Sequence, residues 1–170
     1  MSKDFNTDLK VGDLGEYLWK KYLHSRGHVN LSLSSKDKPV YWDVRIDDSN
    51  VTFEIKYDEA GEVWAHERNR ECNFFMEFWS ETRGEECGIL LLEADYLVYI
   101  LEKVPCQTPV AHLFRVPELI NHLRQSAEQN KYREVTTHVN GTGNVLGWIP
   151  AKSDLLKEEC GFVKEIILNF

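Results

Sequence analysis

Tyr41-Trp42-Asp43-Val44-Arg45-Ile46-Asp47-Asp48-Ser49-Asn50-Val51-Thr52-Phe53-Glu54-Ile55-Lys56-Tyr57 is the stretch from which the rest of the chain is read. Two runs of alternating apolar and polar residues flank the turn-forming Asp47-Asp48-Ser49-Asn50, the pattern of a β-hairpin. A turn centred on Asp48 and Ser49 sets Ile46 opposite Val51, Val44 opposite Phe53 and Trp42 opposite Ile55. All three pairs are apolar and share one face, the register that burial selects. The same register sets Asp43 directly opposite Glu54 on the other face, with Lys56 beside Glu54.

Like charges directly opposite each other across a hairpin cost some tenths of a kcal/mol up to about 1 kcal/mol when exposed. Partial burial raises that cost, because ionised carboxylates resist desolvation without a partner. A divalent cation between them reverses the sign, and Mg²⁺ favours one or two protein carboxylates completed by water and phosphate oxygens. Such an ion polarises a phosphodiester and acidifies a bound water. A neighbouring lysine orients or deprotonates that water and offsets developing negative charge. Taken alone, the hairpin fits ordinary ion pairing better, with Arg45 or Lys56 neutralising Asp43 and Glu54. Its surroundings shift the balance.

The chain has 170 residues, a length that predicts a single domain. Its 42% hydrophobic and 28% charged content excludes a disordered tail, a collagen-like fibre and a low-complexity linker. The longest apolar run, around 88–92, is far short of the roughly 18 residues a membrane span needs. Met1-Ser2-Lys3-Asp4-Phe5-Asn6 lacks the apolar stretch of a secretion signal, so an intracellular, cytoplasmic protein with no membrane partner is expected.

Lys and Arg total 20 against 28 Asp and Glu, for a net charge of −8. A net anion is repelled by nucleic acid at long range, which argues against strong unaided binding to DNA. Local basic groups are Lys20, Lys21, His24, Arg26 and His28, then Lys36 and Lys38, then His122, Arg124, Lys131 and Arg133. Each reads first as solvated surface charge. Cys72, Cys87, Cys106 and Cys160 show no CxxC spacing and are expected as reduced thiols in or near the core.

Residues 8 to about 26 have the period of an amphipathic helix with Val11, Leu14, Leu18 and Tyr22 inward and Gly27 as its stop. Gly12 and Gly15 cost helix propensity and would let the helix approach a neighbouring sheet. Strands are predicted at 28–33, 40–46, 51–57, 73–79 and 96–101, with 88–94 a short helix or a buried turn. Further on come a strand at 112–116, a helix from Pro117 to about 129 and a strand at 145–149. Residues 162–168 fit a closing strand or a helix. This order predicts an α/β (α+β) fold around a central mixed sheet flanked by helices.

Asp43, ten intervening residues and then Glu54-Ile55-Lys56 resembles the D…(D/E)xK signature of the PD-(D/E)xK nuclease superfamily. Trp42 stands where the family name has proline. The resemblance implies a restriction-endonuclease-like core of helix, three strands, helix and strand over about 8–102, with a C-terminal extension over about 103–170. It implies Mg²⁺ or Mn²⁺ held by Asp43, Glu54 and the backbone carbonyl of Ile55, with Lys56 as the catalytic lysine. Many members add a glutamate from the first helix, and Glu16 in Gly12-Asp13-Leu14-Gly15-Glu16-Tyr17 is the match. Residues 72–78 and 94–99 also look like the third and fourth strands of some small members. Glu77 between apolar neighbours either enters the cleft or points outward from a sheet edge, the latter slightly favoured.

Gly141-Thr142-Gly143-Asn144 lacks the Gly-Lys-Ser/Thr of a phosphate loop, no histidine pair has HExxH spacing, and there is no GxSxG. Trp64 and His66 are the weak candidates for touching substrate. The functional expectation is a divalent-metal-dependent nuclease hydrolysing phosphodiester bonds in DNA to 5′-phosphate and 3′-hydroxyl ends. Its acidic surface predicts modest affinity, supplemented by homodimerisation, a partner protein or a special DNA structure. The alternative is a catalytically inactive nuclease-fold binding, assembly or inhibitor protein.

Overall fold

The structure, a computed structural model, describes residues 5–34, 42–58, 72–102, 108–139 and 143–169. In chain order these form α1 (Phe5–Ser25), β1 (Leu31–Leu33), β2 (Val44–Ile46), β3 (Val51–Asp58), β4 (Met76–Ser80), β5 (Glu85–Glu86), β6 (Tyr96–Leu101) and β7 (Val110–Arg115). They continue as α2 (Val116–Glu128), β8 (Arg133–Val139), β9 (Gly143–Ile149), α3 (Lys152–Leu155) and β10 (Phe162–Ile167). The fold is mixed α/β with a mixed sheet flanked by helices.

The main sheet has six strands in the order β1-β2-β3-β6-β7-β10. β1, β2 and β3 form an antiparallel meander, β6 lies parallel to β3, and β7 and β10 follow antiparallel. Along β6, Leu97, Tyr99 and Leu101 enter one core while Val98 and Ile100 enter the other. A strand buried on both faces reads as a near-continuous apolar run.

α1 covers the face that carries Phe53, Val98 and Ile100. Its buried residues are Gly15, Trp19, Tyr22 and Leu23, whereas Leu14 is 41% exposed. The expected period is present but its phase is rotated by about one residue. Trp19 decides the phase, stacking on Tyr22 at 5.0 Å and meeting Phe53 edge-on at 5.4 Å between ring centroids. Gly15 permits the approach: a Cβ there would lie 3.0 Å from Tyr57 Cβ and 3.2 Å from Ile55 Cγ2. Gly12 has nothing within 4 Å, so close approach belongs to Gly15 and not to Gly12. With Gly15 over Ile55 and Tyr57 and Trp19 over Phe53, α1 runs antiparallel to β3. The helix ends before Gly27, whose φ of 90° is the left-handed conformation that suits glycine.

The opposite face packs against α2 and a second, four-stranded sheet of order β5-β4-β9-β8. The resemblance makes 72–78 the third strand of the core, but its strand β4 lies in this second sheet and not in the one that holds the hairpin. Asn73 makes only an isolated bridge to Ala151, and β4 pairs with β9 instead of joining the main sheet. Segment 88–94 contains a 3-10 turn at Gly88–Leu91, and 162–167 is a strand. Among the described residues between β3 and β6 there is no α-helix. The chain beyond 102 does extend the main sheet, through β7 and β10, but it also supplies β8 and β9 to the second one. Among the described residues no helix is long and apolar enough to cross a membrane.

Candidate functional site

The hairpin closes through Asp47–Asn50, with Asn50 at φ 58°, a conformation asparagine tolerates better than most residues. Ile46 pairs with Val51 and Val44 with Phe53, as the sequence pattern predicts. Beyond Val44 the expected register fails. The Asp43 N–H bonds the Phe53 carbonyl at 2.8 Å although Phe53 is the register partner of Val44. Asp43 and Val44 thus both oppose Phe53 where β2 begins, the two-against-one pattern of a β-bulge. Trp42 consequently crosses to the face packed by the second sheet and does not pair with Ile55.

The bulge re-aims Asp43. Its carboxylate oxygen Oδ2 accepts the backbone N–H of Ile55 at 2.7 Å. In a strand the N–H and C=O of one residue point to the same edge, so the Ile55 carbonyl faces the Asp43 side as well. The Asp58 carbonyl points to the other edge, where the Glu102 N–H meets it at 3.1 Å.

Asp43, Glu54, Lys56 and Glu16 converge electrostatically. Burial pushes the Glu54 carboxyl up to about 7, Asp43 and Glu16 push in the same direction, and Lys56 opposes them. Burial also raises Asp43, against the Ile55 N–H and Lys56, which hold it down. Arg45 plays no part, since it pairs with Asp47 at 3.0 Å and lies over the Trp42 ring. The ordinary neutralisation by Arg45 is therefore absent.

Lys56 has a second neighbour that the sequence did not assign to it. Its Nζ lies 3.9 Å from Glu77 Oε2, with both side chains partly buried. The outward placement of Glu77 is thereby corrected: β4 directs it toward β3. In register beside Lys56 across the sheet stand Tyr99, then His112, then Glu165, on four adjacent strands. The buried Tyr99 hydroxyl accepts the Phe75 N–H at 3.2 Å and donates to Asp58 Oδ2 at 3.5 Å. Burial and the Asp58 charge raise its pKa, so the hydroxyl stays protonated.

Among the basic groups, Arg26 lies over the Tyr22 ring, Arg124 pairs with Glu86 and Lys131 lies over the Tyr132 ring. His24 Nδ1 bonds the His28 carbonyl, and His122 bonds the Tyr132 hydroxyl at 2.7 Å. Cys72, Cys87 and Cys160 are buried in the core, as expected. Lys36, Lys38, Trp64, His66 and Cys106 lie outside the described residues.

Among the described residues no three or more His, Cys, Asp or Glu side chains form a ready-made metal cage. A hard cation that keeps most of its waters does not need one. Two carboxylates that oppose each other's ionisation, with the Ile55 carbonyl on the same edge, make a donor set of the type Mg²⁺ and Mn²⁺ accept. Comparison with known protein families, curated proteins and solved structures gives no match to this chain.

Proposed function

We propose that this protein is a Mg²⁺- or Mn²⁺-dependent nuclease that hydrolyses phosphodiester bonds in DNA, built on a restriction-endonuclease-like core. The observation that carries the reading is the bulge at Asp43. It draws one carboxylate to the Ile55 amide, beside Glu54 and Lys56, where burial makes two negative charges costly without a cation. The order of α1, an antiparallel meander and a strand parallel to β3 supports the same reading.

Asp43, Glu54 and the Ile55 carbonyl would hold the cation. When bound, it supplies Lewis acidity to a phosphodiester oxygen and acidifies a water. Lys56 orients the attacking water and lends positive charge to the phosphoryl oxygens as negative charge accumulates. Glu16 adds negative charge from α1, deepening the site's preference for a divalent ion.

The test is cleavage of plasmid and single-stranded DNA in Mg²⁺ or Mn²⁺ by the wild type, Asp43→Asn and Lys56→Met. Either substitution lowers the rate by at least about 100-fold if these groups act in the chemistry. Cleavage unaffected by either change excludes this site. A wild type that cuts nothing but retains the fold supports the inactive binding-module reading, which the net charge of −8 also favours.

A further inference from the structure

We infer that Glu77 is a positioning residue for Lys56: from β4 it holds the lysine ammonium off the Asp43–Glu54 pair, leaving those carboxylates to a cation. The inference rests on the proposed metal-dependent reading of the site. Lys56 and Glu54 share one strand and one face, and Lys56 attracts both Glu54 and Asp43. A lysine is a point charge on a flexible four-carbon stem, so without an opposing pull it collapses onto the nearest carboxylates. There it would occupy the oxygens a cation needs.

Glu77 supplies the opposing pull from a different sheet, at 3.9 Å, close enough to attract the ammonium and too far to capture it in a short hydrogen bond. Its own placement is fixed by packing. Gly88 sits at φ 55° against it, where a Cβ would lie 2.6 Å from the Glu77 carbonyl oxygen and 2.7 Å from Glu77 Cβ. The Cys87 N–H bonds the Phe78 carbonyl at 3.0 Å, tying the same turn to the next residue of β4. A residue clamped in this way can hold a flexible partner, whereas a loosely held one would follow it.

The test is Mn²⁺ titration calorimetry on the full chain, comparing wild type, Glu77→Gln, Glu77→Asp and Lys56→Met with the Glu77→Gln/Lys56→Met pair. Circular dichroism checks that each variant folds. Glu77→Gln is expected to weaken Mn²⁺ binding about three- to fivefold, the scale of a partly exposed ion pair. Glu77→Asp keeps the charge but is one methylene short, and is expected to behave like Glu77→Gln. In the Lys56→Met background the effect of Glu77→Gln should vanish, because the residue acts through the lysine. An equal weakening in that background, or no weakening in either, overturns the positioning role and leaves the metal site standing. No Mn²⁺ uptake by the wild type overturns the proposed metal site itself, and the positioning role with it.

Discussion

Asp43 Oδ2 accepts the Ile55 N–H at 2.7 Å across a bulge, so this carboxylate has a structural duty as well as a negative charge. The two are separable. Asp43→Asn keeps an oxygen acceptor for the amide and removes the charge, whereas Asp43→Ala also leaves a strand N–H without its partner. In metal-free urea denaturation, Asp43→Ala is therefore expected to be less stable than Asp43→Asn by about 1–2 kcal/mol. Equal stability of the two variants would show that the hydrogen bond does not hold the bulge.

Glu54 makes the metal-free protein sensitive to pH in a direction its burial dictates. Its carboxyl is raised from 4.5 to about 7 by burial, by Asp43 and by Glu16. A folded-state pKa above the unfolded value contributes stability that is complete below 4.5 and is lost as pH rises through about 7. Glu54→Gln mimics the protonated form, so it is expected to be more stable than wild type by about 1–3 kcal/mol near pH 8. The difference should disappear by about pH 4.5. Denaturant titrations across this range check the sign, and a variant less stable than wild type near pH 8 contradicts it.

His112 works in the opposite sense. It is fully buried, with Nδ1 at 3.2 Å from the Tyr99 carbonyl and Nε2 at 3.0 Å from Glu165 Oε2, an oxygen Lys152 also reaches at 3.4 Å. Burial and Lys152 lower its pKa from 6.5, against the pull of the Tyr99 carbonyl and Glu165. A depressed folded-state pKa gives stability that is present above 6.5 and lost as pH falls through the folded value. His112→Gln should flatten the acid side of the stability curve, while Glu54→Gln flattens the limb between 4.5 and 7. Retention of the full acid-side slope in His112→Gln assigns that slope to other groups.

The two glycines of α1 should respond oppositely to substitution. Gly12→Ala adds a methyl where nothing lies within 4 Å, so gained helix propensity stabilises by up to about 1 kcal/mol. Gly15→Val drives a branched side chain into Tyr57 and Ile55 and should cost about 1–3 kcal/mol. Thermal or urea unfolding of the pair reads both. A stabilised Gly15→Val variant would mean that α1 does not lie closely on β3.

The hairpin is legible because alternation, turn residues and burial agree on Val44 with Phe53 and Ile46 with Val51. The bulge at Asp43 is not legible, because one extra residue in a ladder leaves no mark on an apolar pattern. α1 shows its period clearly, but two adjacent stripes of apolar residues compete for the inward face, and Trp19 with Gly15 settles which wins. β8 escapes reading because its alternation is weak: only the half-buried Val135 and Thr137 stand between the exposed Glu134, Thr136 and His138. The second sheet escapes with it, since β4 finds its partner β9 far along the chain. The side that Glu77 faces depends on that sheet assignment, which is why its approach to Lys56 emerges only from the structure.

Anomalous scattering from crystals soaked in Mn²⁺ locates a bound ion without assumptions about its ligands. A peak bounded by the Asp43 and Glu54 carboxylates and the Ile55 carbonyl is expected in the wild type, and its loss in Glu54→Gln. A wild-type map with no peak there at saturating Mn²⁺, or a peak that survives Glu54→Gln undiminished, contradicts the proposed metal site.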